Sequence, residues 1–129
     1  MDYKDSYQGK TILVTGGAGA IGSNLTRALG ELGAKSVIVL DDLSSASRWN
    51  VPALPNVLFV EGSILDEVEL KRVFFEGPDL VFHLAALLST RSEFTPTAAH
   101  EVNVGGTLNM LEFAQKQGEL HGRPVVFLY

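Results

Sequence analysis

The apolar positions of the chain fall into two rhythms. Short continuous apolar runs occur at residues 12–14, 36–40, 57–61, 79–86 and 124–129. Runs of this length, rich in Val, Ile and Leu, predict strands covered on both faces. Between them, apolar residues recur at spacings of three and four. Ile21, Leu25, Ala28, Leu29 and Leu32 form one such set, and Leu70, Val73 and Phe74 a second. A third set, Val104, Leu108 and Leu111, lies inside a stretch at 96–117 and predicts one long helix with these residues inward. Gly33 stands where a helix C-terminal glycine is expected. Asp66 and Glu69 read as a capping pair, and Gly77-Pro78 as a stop signal. Strands and helices alternate throughout, which predicts an α/β fold: a doubly wound parallel sheet with helices on both faces. Right-handed crossovers, with a reversal after the third strand, predict five strands in the spatial order 3-2-1-4-5.

Several stretches break the rhythm. Residues 1–10 are polar and predict an arm fixed by Tyr7, with the domain proper at 11–129. Residues 42–56 hold two prolines, three serines and the single Trp of the chain. A connection that long is more often a binding loop than a plain turn. Trp49 within it stacks on a ligand ring or packs the loop, and packing is expected. The polar stretch 87–95 follows the fourth strand. Ligands of open parallel sheets bind outside the carboxyl ends of strands. Ser89, Thr90, Arg91 and Glu93 are therefore substrate-side candidates. Gly105-Gly106 inside the long helix costs roughly 1 kcal/mol per residue relative to Ala. A close helix–sheet approach, a ligand nearby or a kink would account for it.

The chemistry concentrates after the first strand. Gly16, Gly19 and Gly22 fall in the pattern GxxGxxG between a predicted strand and a predicted helix. Glycines let the backbone turn sharply and approach a pyrophosphate. The free N–H groups of the helix start then hold the negative charge. The second strand ends in Asp41, nineteen residues after Gly22. A carboxylate at about that distance accepts hydrogen bonds from the ribose hydroxyls of NAD and repels the 2′-phosphate of NADP. As a bland alternative, Asp41 only ends a strand. Arg48 nearby would favour NADP. Ala85 and Ala86 let a flat ligand lie against the backbone. His83, in an apolar strand, is expected to be a packed, hydrogen-bonded residue rather than a base.

Composition narrows the partners. Of 129 residues, 46% are hydrophobic and 19% charged, which fits a soluble globular domain rather than a disordered chain. A formal net charge of −5 argues against a nucleic-acid surface or a basic membrane-facing patch. The absence of cysteine excludes disulfides and thiolate metal sites. No apolar stretch approaches a membrane span and the first ten residues lack a secretion signal's apolar core, so a cytoplasmic location is expected.

The glycine turn, Asp41, HLAA at 83–86 and Asn103-Val-Gly-Gly-Thr107 together resemble the N-terminal part of an extended short-chain dehydrogenase/reductase. Within that superfamily the chain is similar to the NAD-dependent epimerases/dehydratases, from Lys10 to Tyr129. The resemblance implies a Rossmann-type fold, NAD as cofactor and a nucleotide sugar or other small molecule as substrate. It implies that Gly16, Gly19, Ala20, Ile21 and Gly22 hold the pyrophosphate, and that Asp41, Asp42, Leu43 and Ser44 hold the ribose and adenine. Ser63-Ile64 matches the dipeptide at the adenine edge, with Ser in place of the usual Asp. Leu84, Ala85 and Ala86 match the segment beneath the cofactor, and Asn103 the helix asparagine near the nicotinamide ribose. The family's catalytic Ser/Thr and Tyr-x-x-x-Lys have no counterpart: Tyr3, Tyr7 and Tyr129 have no Lys four residues on. The expectation is a fragment carrying the cofactor fold without catalytic residues, from a parent for which a homodimer is one option. Two other readings stay open. Residues 84–89 also resemble the superfamily's threonine dehydrogenases, and the chain also fits a non-catalytic dinucleotide-binding module.

Overall fold

Each apolar run becomes a strand flanked on both faces by helices, in a computed structural model that describes residues 2–88 and 95–129. The strands are β1 (Thr11–Thr15), β2 (Ser36–Asp41), β3 (Val57–Glu61), β4 (Leu80–His83) and β5 (Val126–Leu128). They form one sheet in the order β3-β2-β1-β4-β5, with every pairing parallel. This is the predicted topology. It places a switch in winding direction between β1 and β4, where their neighbouring connections leave to opposite faces and a crevice opens.

Helices fill the two faces: α1 (Lys4–Tyr7), α2 (Ala20–Glu31), α3 (Glu67–Phe75), α4 (Pro96–His100) and α5 (Thr107–His121), with a π-helical segment, Glu101–Gly106, joining the last two. Because side chains alternate along a strand, β1 divides its residues between two cores. Ile12 and Val14 join Val37, Leu29 and Ala34 on the α2 side. Leu13 joins Ile38, Val81, Leu70, Val73 and Met110 on the α3 and α5 side. Leu13 stands opposite both Ile38 and Val81 in register, which makes it the centre of that face. Burying side chains of this size contributes about 1.5–3 kcal/mol each.

Local signals act where the sequence places them. Asp66 is the N-cap of α3 and its carboxylate accepts from the backbone N–H groups of Val68 and Glu69. The reciprocal half of the capping box is missing, because the Asp66 N–H donates to the Ser63 carbonyl. Gly33 and Gly77 follow their helices with φ of +89° and +72°. The N-terminal arm holds one helical turn, α1, and Tyr7 packs against the α2-side core with its ring 6.3 Å from Phe82.

Two expectations fail. In the long helix Val104, Leu108 and Leu111 are 46%, 56% and 41% exposed, whereas Ala99, Gly106, Met110, Ala114 and Gln117 face inward. Both stripes have helical spacing. The π segment carries extra residues per turn and shifts the face, so the small residue Gly106 meets the sheet. Ile21, the first of the helically spaced apolar set of α2, is 76% exposed, and Gly22, Thr26 and Leu29 take the buried face. Trp49 packs on nothing and is 94% exposed. It sits in a 3₁₀ turn, Arg48–Asn50, held by its neighbours: the Ser47 hydroxyl accepts from the Trp49 N–H, and Asn50 reaches across to the glycine turn.

Candidate functional site

A cleft of about 430 Å³ opens at the carboxyl ends of the strands. Its walls are Gly16, Gly19, Ala20, Ile21 and Gly22 from the glycine turn, then Asp41, Asp42 and Ser44 after β2. Gly62, Ser63 and Ile64 follow from the end of β3, and Leu84, Ala85 and Ala86 from the end of β4. Four connections far apart in sequence thus converge on one crevice. Two of the sequence-derived candidates, Leu43 and Asn103, are not among the wall residues. Ser89, Thr90, Arg91 and Glu93 lie outside the described residues. A second, more open groove of about 480 Å³ between α5 and β5 is lined mainly by apolar side chains such as Leu111 and Phe127.

The glycine turn is tight for a steric reason. A Cβ on Gly22 would lie 2.3 Å from the Gly16 carbonyl oxygen, and one on Gly16 would lie 2.9 Å from the Ala85 nitrogen. Gly16 also has φ of +68°. The turn uses its own donors sparingly. The Gly16 N–H donates to the Leu40 carbonyl, the Gly19 N–H to the Gly16 carbonyl, and the Ala18 N–H to the Asp41 carboxylate. Among the described residues the N–H groups of Ala20, Ile21 and Gly22 have no protein acceptor. These are the first donors of α2, a twelve-residue helix whose dipole adds positive potential at the same point. Backbone donors and dipole together suit an anion such as a phosphate.

Asp41 stands beside this turn. One carboxylate oxygen accepts from Ala18 at 3.0 Å and the other from Leu43 at 2.9 Å. Leu43 has φ of +59°, an unusual backbone for a leucine, and the Asp41 bond holds it there. Asp42 accepts from the Ser44 N–H at 2.9 Å. Two carboxylates therefore rim the same part of the cleft. Arg48, the one nearby cation considered for that part, lies 4.6 Å over the Phe59 ring instead.

The β4 wall is held by a chain of hydrogen bonds. The Thr15 hydroxyl oxygen accepts from the N–H groups of Leu84 and Ala85 at 3.1 and 3.2 Å. It lies 2.7 Å from His83 Nδ1, and His83 Nε2 lies 3.0 Å from the Thr107 hydroxyl. Thr107 gives its own proton to the Asn103 carbonyl, so it accepts from Nε2–H. His83 is therefore the neutral Nε2–H tautomer, and Nδ1 accepts the Thr15 proton. Burial lowers its pKa in the same direction. Both ring nitrogens are used, so His83 is the structural residue expected. The chain continues to Asn103, whose side chain accepts from the Leu87 N–H and donates to the Leu87 carbonyl. On the opposite wall Asn109 donates to the Ile64 carbonyl, and a Cβ on Gly106 would lie 2.3 Å from Ile64 Cδ1. Gly106 is thus the close approach; Gly105 beside it meets nothing within 4 Å.

Sequence reasoning missed Asn50, whose side chain donates to the Ala18 carbonyl at 3.0 Å, and Asn109. Neither has a signal in the local pattern, since each acts on a residue more than thirty positions away. It also missed Ser45 and Ala46 on the cleft wall, which follow directly on Ser44.

Known proteins share this arrangement. The family model described as NAD dependent epimerase/dehydratase family matches residues 12–128. The structure of epimerase Mth375 from Methanothermobacter thermautotrophicus superposes with a TM-score of 0.88 at 52% identity, over 92% of this chain and 35% of that one. The Bordetella bronchiseptica enzyme WbmF, solved in complex with NAD+, superposes with a TM-score of 0.79 at 41% identity, over 85% of this chain and 33% of that one. The UDP-glucose 4-epimerase of Haemophilus influenzae is 38% identical over 114 residues, 83% of this chain and 33% of its own length. The chain spans about a third of these relatives. A parallel sheet wound both ways, a glycine turn at its switch point and a family match over nearly the whole length have one reading: the chain belongs to the NAD-dependent epimerase/dehydratase family.

Proposed function

We propose that the chain is the NAD-binding part of a nucleotide-sugar epimerase or dehydratase. The observation that carries this is the convergence, on one cleft, of three unpaired N–H groups at a helix start with the Asp41 carboxylate. The N–H groups of Ala20, Ile21 and Gly22 hold the pyrophosphate. Asp41, with Asp42, Leu43 and Ser44, holds the adenosine ribose, and Ser63 and Ile64 meet the adenine edge. Leu84, Ala85 and Ala86 carry the flat middle of the cofactor, and Asn103 supports that wall through Leu87. Gly16 and Gly19 leave the space into which the phosphates come. When bound, NAD supplies the acceptor for a hydride taken from the sugar. The residues of this chain bind and orient; no proton transfer is assigned to any of them. The WbmF complex with NAD+ and the epimerase relatives support the cofactor and the substrate class.

For the whole protein we propose a second copy as partner. The exposed apolar stripe of Val104, Leu108 and Leu111 supports it, because contiguous apolar surface of this kind marks an interface more often than free surface. No helix among the described residues is long and apolar enough to cross a membrane.

Calorimetric titration of NAD and NADP against the chain tests the cofactor assignment. NAD binds more tightly than NADP, and Asp41→Ala weakens NAD and narrows the gap. Equal affinity for both cofactors in the unaltered chain would overturn the role of Asp41.

A further inference from the structure

We propose that Asn50 is a positioning residue for the glycine turn, and that it aims the anion-binding end of α2. The peptide unit between Ala18 and Gly19 immediately precedes the helix, with Gly19 as its N-cap. That unit is gripped at both ends. Its carbonyl accepts from Asn50 Nδ2 at 3.0 Å, and its N–H donates to the Gly16 carbonyl at 3.1 Å. The preceding peptide is held by the Asp41 carboxylate through the Ala18 N–H at 3.0 Å. Two peptide units in succession therefore have fixed planes, and Gly19 takes a single extended conformation, φ −74° and ψ 177°. The directions of the next three N–H groups follow from that conformation. Glycine at the N-cap has wide backbone freedom of its own, so an outside constraint is what selects one state.

Asn50 is the distal end of that constraint. It sits in the 3₁₀ turn Arg48–Asn50, where the Ser47 hydroxyl accepts from the Trp49 N–H. Asp41 begins the same loop and Asn50 closes it, so the loop 41–50 embraces Ala18 from both sides: an acceptor on its N–H and a donor on its carbonyl. Ala18 itself is wholly buried. A ribose-facing carboxylate and a phosphate-facing helix end are thereby locked into one body. Binding a dinucleotide then orders less backbone, which raises affinity without any new contact to the ligand.

This proposal rests on the reading of the cleft as a dinucleotide site, and the experiment separates the two. NAD affinity is measured by calorimetry, and amide exchange by NMR without ligand, on the unaltered chain, Asn50→Ala and Asn50→Asp. Asn50→Ala is expected to weaken NAD roughly three- to tenfold, the range of one net hydrogen bond. Asn50→Asp is nearly isosteric but sets one acceptor against another, the Ala18 carbonyl, and is expected to weaken NAD further. Without ligand, exchange at Ala18 and Gly19, whose N–H groups are bonded to the Asp41 carboxylate and the Gly16 carbonyl, speeds up in both variants while the amides of Ile12 to Val14 keep their protection. That local signature would not accompany a general loss of stability. Unchanged exchange in the turn, or equal acceleration there and in β1, would overturn the proposal, as would unaltered NAD affinity in both variants. If the unaltered chain binds no NAD, the reading of the cleft fails, and the positioning role stands or falls on the exchange data alone.

Discussion

Two glycine-bearing segments face each other across this fold and work in different ways. At Gly22, in the turn at 16–22, the crowding is internal: a Cβ there meets Gly16 and Gly17, a few residues upstream. In the helical stretch at 96–121 it is remote: Gly106 meets Ile64, on the far side of the sequence, while its neighbour Gly105 meets nothing. The first segment shapes a backbone. The second sets the distance between a helix and the wall of the cleft. A glycine's cost is thus decided by what its missing Cβ would touch, and whether that atom can move.

The largest effect is expected at Gly22. A Cβ there runs into backbone atoms, 2.3 Å from the Gly16 carbonyl oxygen and 2.7 Å from the Gly17 Cα. Backbone in a packed turn cannot give way cheaply, so Gly22→Ala should cost about 3 kcal/mol or more and abolish NAD binding. Thermal unfolding with NAD titration checks this. A stable Gly22→Ala variant that still binds NAD would erase the distinction between the two segments.

Gly106→Ala should cost less, about 1–3 kcal/mol, because the obstructing atom is the tip of the Ile64 side chain. Ile64→Val removes that tip and alone costs about 0.5–1.5 kcal/mol. The double variant is expected to lose less stability than the sum of the singles, as residues in contact do. Strict additivity in denaturant unfolding would show that the two do not share the strain.

His83 sharpens the comparison through pH. Its pKa is lowered on folding, chiefly because burial penalises the charged form. Below the ordinary histidine value of about 6.5 the unfolded chain then binds more protons than the folded one. The stability associated with His83 is thus fully present above that value and is lost as pH falls from it through the lower, folded pKa. Protonation would also aim a second N–H at Thr15, whose oxygen already accepts from Leu84 and Ala85. The melting temperature should drop between pH 7.5 and 5.5, and drop less in His83→Gln, although that variant starts lower. An identical pH slope in both proteins would assign the effect elsewhere.

The smallest effect, and of opposite sign, belongs to Gly105→Ala. With open space around it, the new methyl should stabilise by about 0.5–1 kcal/mol through lower unfolded-state entropy. Adjacent glycines would then respond in opposite directions, which a denaturant midpoint resolves.

The topology was legible because the signals for it are local. Short apolar runs, a glycine after each of two helices and an aspartate cap before α3 each report on a few neighbouring residues. The glycine turn and Asp41 were legible for the same reason: strand, turn, helix and the end of the next strand follow one another in the chain. The inward face of the long helix was not. Val104, Leu108 and Leu111 have the same spacing as the true face, and periodicity has no means to choose between two stripes. The π segment Glu101–Gly106 made the choice. Trp49 misled for a related reason: its size suggested a packing role, but it stands 94% exposed.

By itself, then, the sequence determined the strand order, the site's place at the switch point and the identity of most cleft-wall residues. The first two follow from hydrophobic period, backbone freedom and chain connectivity, as do the glycines, Asp41, Ala85 and Ala86 among the wall residues, whereas Asp42, Ser44, Ser63, Ile64 and Leu84 were implied by the family resemblance alone. Only the tertiary structure decided how the walls are held. Asn50 on Ala18, Asn103 on Leu87, Asn109 on Ile64 and the neutral His83 between two threonines are contacts between distant segments. A side-chain amide carries no period and marks no boundary, so its partner exists only once the sheet has brought the two segments within 3 Å or so of each other.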